Sequence, residues 1–153
     1  STSVQRILDF DIRLLALRTG VSLGGSDDAK GYGGFSPRIR LAEDVRFLGQ
    51  RGELTPQPMA AVDGGAWVDV VGTLDGKRQG VAIMVHPSHP NFPVKWLLRS
   101  RRSMQNPQWP GRQPVTLDPR HEVQLRYRLV LHVDELSRDD LEVIWHDFAG
   151  SGP

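Results

Sequence analysis

A chain of 153 residues carrying 19 Lys+Arg against 18 Asp+Glu, a formal net charge of +1 and no cysteine has the length of one domain with a real core. The near-balance of charge excludes the clustered basic surplus of a nucleic-acid footprint. The lack of cysteine excludes disulfides, thiolate nucleophiles and cysteine-bound zinc.

The first predicted element is a strand. Leu8, Phe10, Ile12, Leu14 and Ala16 alternate with Asp9, Asp11 and Arg13, the period of a half-buried strand. A glycine and aspartate loop, "GGSDDAKGYGG", leads to a short strand predicted at "FSPRIRL", either an edge strand or one that begins late, because Pro37 has no amide donor. "WVDVVGTL" (67–74) and "QGVAIMV" (79–85) flank Asp75-Gly76, a tight-turn pair between hairpin strands. Residues 122–132, "EVQLRYRLVLH", place Val123, Leu125, Tyr127, Leu129 and Leu131 inward and Gln124, Arg126 and Arg128 outward. Ser137 begins a helix as its cap, with Asp139 and Asp140 at its positive end and Leu136 and Leu141 as a staple. Leu141, Ile144, Trp145 and Phe148 form its apolar stripe, and Gly150 its stop. The elements add up to an all-β antiparallel sandwich with one C-terminal helix, a single domain over residues 1–150. The opening "STSVQRIL" lacks an initiator methionine and enters a strand almost at once, which fits the C-terminal part of a longer protein. No apolar run approaches the ~20 residues of a membrane span, and no signal peptide is legible. The compartment stays open.

Chemistry concentrates where "HPSHPNFPVKWLLR" (86–99) breaks off the apolar run "GVAIMV". His86 and His89 are three apart, but a metal site needs three or four ligands, and His121, His132 and His146 lie in other elements; no metal or other cofactor is expected. A proline-stiffened corner with histidines bonded to backbone is one reading; His86 at a pocket mouth, where its near-neutral pKa suits proton transfer, is the other. Trp96 and Arg99 pair an aromatic platform with a forked cation, although Trp96 fits a core equally well. Trp109, between prolines and a glycine, reads as a loop aromatic free to bind, while Trp67 and Trp145 read as core. The glycine loop has no phosphate-binding fingerprint, yet Asp28, Lys30, Tyr32 and Arg38 can point into a shared cleft. Glu53, in "QRGELTPQ", is a loop carboxylate able to act as a base. The basic cluster "RSRRS" reads as a solvated face.

Taken together, "DDAKGYGGFSPRIRL", "WVDVVGTLDG", "GVAIMVHPSHPNFPVKWLLR", "RSMQNPQWPGRQPVTL" and "LRYRLVLH" occur in an order that resembles the PmoA-like, or "methane oxygenase", domain family of planctomycete-type bacteria. The resemblance covers nearly the whole chain, and its most specific parts are the His-Pro…Pro…Trp…Arg run and the Met-Gln-Asn-Pro segment. It implies the C-terminal half of a longer protein. The chain departs from many relatives at His89, where they have Asn, at Val85, where they are acidic, and after Arg99, where they continue Tyr-Gly. Oxygen activation needs a metal site, for which no ligand set is legible here, so the family label is taken as nominal. What the resemblance implies is a β-sandwich akin to the sugar-binding supersandwiches of the galactose-mutarotase kind.

The expected function is therefore carbohydrate-related, in a cleft lined by the 28–38 loop, the 86–99 corner and the 104–111 loop. In the catalytic version His86 moves a proton opposite Glu53 or Asp69, and Arg38 and Arg99 stabilise developing negative charge. Asp28, Lys30, Tyr32, Arg38, His89, Trp96, Arg99, Gln105, Asn106 and Trp109 are the expected ligand-binding residues. The alternatives are a non-catalytic sugar-binding or interaction module, and a structural half that completes a sandwich with an N-terminal half. A carbohydrate and that N-terminal half are the expected partners; nucleic acid and membrane are not.

Overall fold

The hairpin at the centre of the chain organises everything around it. In the computed structural model, which describes residues 3–24, 27–31, 33–101 and 104–152, β5 (Trp67–Leu74) and β6 (Lys77–Val85) pair antiparallel across Asp75-Gly76. Both turn residues have positive φ, 52° and 74°, as a type I′ hairpin turn requires, and Asp and Gly tolerate that region best. β10 (Val123–Val133) adds to β6, and β1 (Val4–Leu14) adds to β10. On the other side β3 (Arg46–Gly49) and β4 (Gly52–Leu54) complete a six-stranded antiparallel sheet in the order β1-β10-β6-β5-β3-β4.

Each face of this sheet is covered differently. One face, with Val68, Val70, Ile83, Val85, Leu125 and Tyr127, packs against Val94, Trp96, Leu98 and Trp109. These come from long connections carrying two short ladders, β2 (Ser22–Leu23) with β9 (Val115–Thr116) and β7 (Trp96–Leu97) with β8 (Asn106–Pro107). The other face, with Trp67, Ala82, Met84 and Val130, packs against Leu136, Leu141 and Phe148 of the C-terminal segment. This is the antiparallel β architecture with a single C-terminal helix that the periodicities imply.

The helix α1 (Arg138–Gly150) starts on a complete capping box. Ser137 Oγ accepts from the Asp140 amide at 3.1 Å, and Asp140 accepts from the Ser137 amide at 3.1 Å. Leu136 and Leu141 both enter the core, so the staple forms as expected. Gly150 is the last helical residue rather than a left-handed stop; the cap is Ser151, whose amide returns to Phe148 O.

Two expectations need correction. "FSPRIRL" is not a strand: only an isolated bridge between Arg38 and Met104 forms there, since Pro37 interrupts donation. On β10 the outward parity of Arg126 and Arg128 holds, but outward is not solvent. The helix lies over that face, and Arg128 is buried between Asp9 at 2.7 Å and Asp147 at 2.9 Å. Its guanidinium also sits over the Phe148 ring at 4.8 Å.

Candidate functional site

Past Val85 the chain leaves the sheet through a tight corner, with His89 N bonded to His86 O at 3.0 Å and Phe92 N to His89 O at 3.0 Å. Both histidines are buried there. Arg126 Nη1 lies 2.8 Å from His86 Nε2. A guanidinium only donates, so Nε2 faces a donor there, and Nδ1 faces Ser88, 3.1 Å from its amide and 2.8 Å from its Oγ. Burial, and next the Arg126 charge, hold the His86 pKa below its usual value. Both ring nitrogens are therefore engaged, and Arg126 is tied in turn to Ser151 and Gly152. His89 is anchored the same way. Its Nδ1 accepts from Asn91 N at 3.3 Å and its Nε2 lies 3.0 Å from Tyr127 Oη, and burial lowers its pKa to about 4. His86→Ala should then cost roughly 1 kcal/mol or more, because a buried ring and its bonds to Ser88 and the half-buried Arg126 are lost; an unchanged melting curve would show the corner stands without it.

The two expected carboxylate partners are elsewhere. Glu53 is exposed on β4 and paired with Arg46 at 3.1 Å. Asp69 is buried on β5 and paired with His132 at 2.9 Å. Neither is joined to His86, so the acid–base pairs expected with His86 do not assemble. The platform reading of the tryptophans also changes. Trp96 is fully buried and its Nε1 donates to Gly65 O at 2.9 Å. Trp109 is 2% exposed, a core residue despite its loop setting. The chain turns tightly over it at Gly34, where an added Cβ would lie 2.7 Å from Trp109 O. The Trp109 Nε1–H has no partner among the described residues.

Several expected ligand residues turn out to hold loops in place. Asn106 is buried with Nδ2 at 2.8 Å from Gly33 O and 2.7 Å from Phe35 O, which pins the glycine loop to β8. Asp28 Oδ1 accepts from the Lys30 amide at 2.8 Å, and its carboxylate pairs with Lys30 Nζ at 3.1 Å. Arg38 is exposed beside its bridge to Met104. Tyr32 lies outside the described residues.

One concavity does gather expected residues. Lys30, Pro56, Gln57, Pro58, Met59 and the run Leu98 to Arg101 surround an open cleft of about 570 Å³. Arg99 is its best-positioned cation. Buried Gln105 clamps its backbone from both sides, accepting from Arg99 N at 3.0 Å and donating to Arg99 O at 3.0 Å. Arg99 Nη1 donates to Pro58 O, and the rest of the fork has no hydrogen-bond partner among the described residues. Arg101 likewise has no ion-pair partner among them. The expected cleft is thus relocated: it keeps Lys30 and Arg99, loses the His86 corner and the tryptophans, and takes its other wall from residues 56–59. Sequence reading missed that wall and Arg101. The one signal was "RSRRS", a basic run that a proline-framed loop, "PQPM", turns into a lined hollow.

Among the described residues no three His, Asp or Glu side chains gather as a metal site, and no helix is long and apolar enough to cross a membrane. Residues 1–146 match the family described as "Family of unknown function (DUF6807)". No curated protein and no solved structure matches the chain.

Proposed function

The chain belongs to the family of unknown function DUF6807, and we propose that this domain binds an acidic carbohydrate, without catalysing its conversion, in the cleft between residues 56–59 and 98–101. The observation that carries the reading is Arg99, clamped by Gln105 and lining the cleft beside Arg101 and Lys30 with part of its fork uncommitted. A planar guanidinium held at its backbone is suited to a carboxylate, which it meets with two parallel hydrogen bonds. The described lining contains no aromatic ring, the usual stacking surface for a neutral sugar, so charge rather than stacking sets the preference. The ring nitrogens of His86 are engaged by Arg126 and Ser88, and among the described residues no carboxylate is paired with it. This favours holding a ligand over moving its protons.

The test is a titration with glucuronate and galacturonate against glucose and galactose, followed by calorimetry or by amide shifts. Binding is expected for the acidic pair only, and Arg99→Ala should weaken it by about tenfold or more, the worth of one charge-assisted contact. Equal responses to acidic and neutral sugars, or none to either, would overturn the assignment.

A further inference from the structure

We propose that the free edge of β1 pairs with the same edge of a second copy of this chain, antiparallel about a twofold axis at Asp11. β1 is the outermost strand of the sheet, and among the described residues its only ladder is to β10. Through its middle it has no proline, no lysine and no bulge; the single register irregularity lies at its start, between Val4 and Arg6. Those are among the devices by which an edge strand is normally guarded against pairing; the charges it does carry, Asp9, Asp11 and Arg13, are ones a second copy can meet. Of six exposed large apolar residues, four lie on this strand or directly after it: Ile7 at 44%, Leu8 at 39%, Leu15 at 49% and Leu17 at 94%. Such a run of apolar surface along an open edge marks an interaction site.

The identity of the partner follows from the strand's own order of residues. A twofold axis normal to the sheet at Asp11 keeps every residue on its own face. It sets Ile7 opposite the partner's Leu15, Leu8 opposite the partner's Leu14, and Phe10 opposite the partner's Ile12. Asp9 then meets the partner's Arg13, and the symmetry repeats each pair. Arg13 is half-exposed and among the described residues is bonded only to its own Asp11, at 3.4 Å, so it can serve the incoming carboxylate as well. At the axis the two Asp11 side chains face one another, each already held by Gln124 Nε2 at 2.9 Å. Neighbouring registers fit less well. An axis at Phe10 sets Asp9 against Asp11 twice. One at Ile12 also pairs Asp11 with Arg13, but it sets Asp9 against Leu15 and needs Leu17, where the backbone already bends, opposite Ile7. Cross-strand apolar and opposite-charge pairs are each favourable and like charges directly opposite are not; the Asp11 register makes three apolar pairings and one opposite-charge pairing, each twice, against a single like-charge meeting at the axis, so Asp11 is the axis. The two six-stranded sheets become one.

Sedimentation or light scattering over a concentration series to about 200 µM reads the outcome. The expected species is a dimer of twice 17.1 kDa. Ile7→Lys and Leu15→Glu should each weaken it about tenfold or more, whereas an equimolar mixture of the two variants should recover association as a heterodimer, the introduced ammonium meeting the introduced carboxylate. Arg13→Asp, at a position touching only Asp11, should weaken it without altering apolar surface. All of these sites are exposed, so melting temperatures should stay within a few degrees. A monomer at every concentration, a dimer indifferent to these changes, or a mixture that fails to recover would each overturn the proposal.

Discussion

Asp69→Ala is expected to destabilise the domain by about 3–5 kcal/mol, the cost of leaving the other half of a buried ion pair unpaired. For a domain of this size the melting midpoint should fall by roughly 10–15 °C. Asp69 on β5 and His132 on β10 are separated by β6, and their side chains meet over it at 2.9 Å, both almost wholly buried. Gly80 makes the contact feasible: a Cβ there would lie 2.6 Å from His132 Nε2. His132 Nδ1 lies 2.9 Å from Asp134 O, and a carbonyl only accepts, so Nδ1 donates. With Nε2 donating to the Asp69 carboxylate, both ring nitrogens carry protons and the pair is an imidazolium with a carboxylate. Burial works against that charge, but the hydrogen bond and charge of Asp69 outweigh it and the His132 pKa stands above its usual 6.5. A raised folded-state pKa places this stabilisation fully below pH ~6.5 and removes it as pH climbs through the folded value. Denaturant titrations of Asp69→Ala, His132→Ala and the double variant check the account. The double variant should cost less than the sum of the singles, and an alkaline decline seen in the parent should be absent from all three. Additive singles would mean the two residues do not form a pair.

The second large effect runs the other way in pH. Burial lowers the His89 pKa to about 4 in the folded protein, against 6.5 when unperturbed. Between those values the unfolded chain takes up a proton that the folded chain refuses, so stability falls as pH drops from ~6.5 toward ~4. The full difference amounts to about 3 kcal/mol. His86, also depressed, adds to the same decline. Carboxylates held below their usual range, such as Asp9 and Asp44, act only below the unperturbed carboxylate pKa near 3.8. The loss above pH 4.5 is therefore the histidines' own. Unfolding free energies at pH 7, 5.5 and 4.5 should show it, and His89→Asn, which retains an acceptor for the Asn91 amide, should flatten it. An unaltered slope in that variant would place the acid sensitivity elsewhere.

How much of this was readable beforehand differs element by element. β1, the β5–β6 hairpin, β10 and α1 all announce themselves through alternation, turn pairs or a capping box, because each signal is local and each residue's role is set by its near neighbours. The strand expected at Pro37 failed for a local reason too, the missing donor. The candidate site behaved differently. Trp109 stands between prolines and a glycine and reads as free, yet the glycine loop from seventy residues earlier closes over it through Asn106 and Gly33. Arg126 and Arg128 have the outward parity of surface residues, but a helix that begins ten residues beyond Arg128 covers them.

From its sequence alone this protein is an antiparallel β domain with one capped C-terminal helix, since period and turn chemistry act over a few residues. Only the tertiary structure decided which polar groups are committed and which are available. His86 is engaged by Arg126 across 40 positions, Asp69 by His132 across 63, and Arg99 is left facing a cleft assembled from three separate segments. Hydrogen bonds and ion pairs depend on distance in space, and chain order does not encode distance once the chain has turned back on itself.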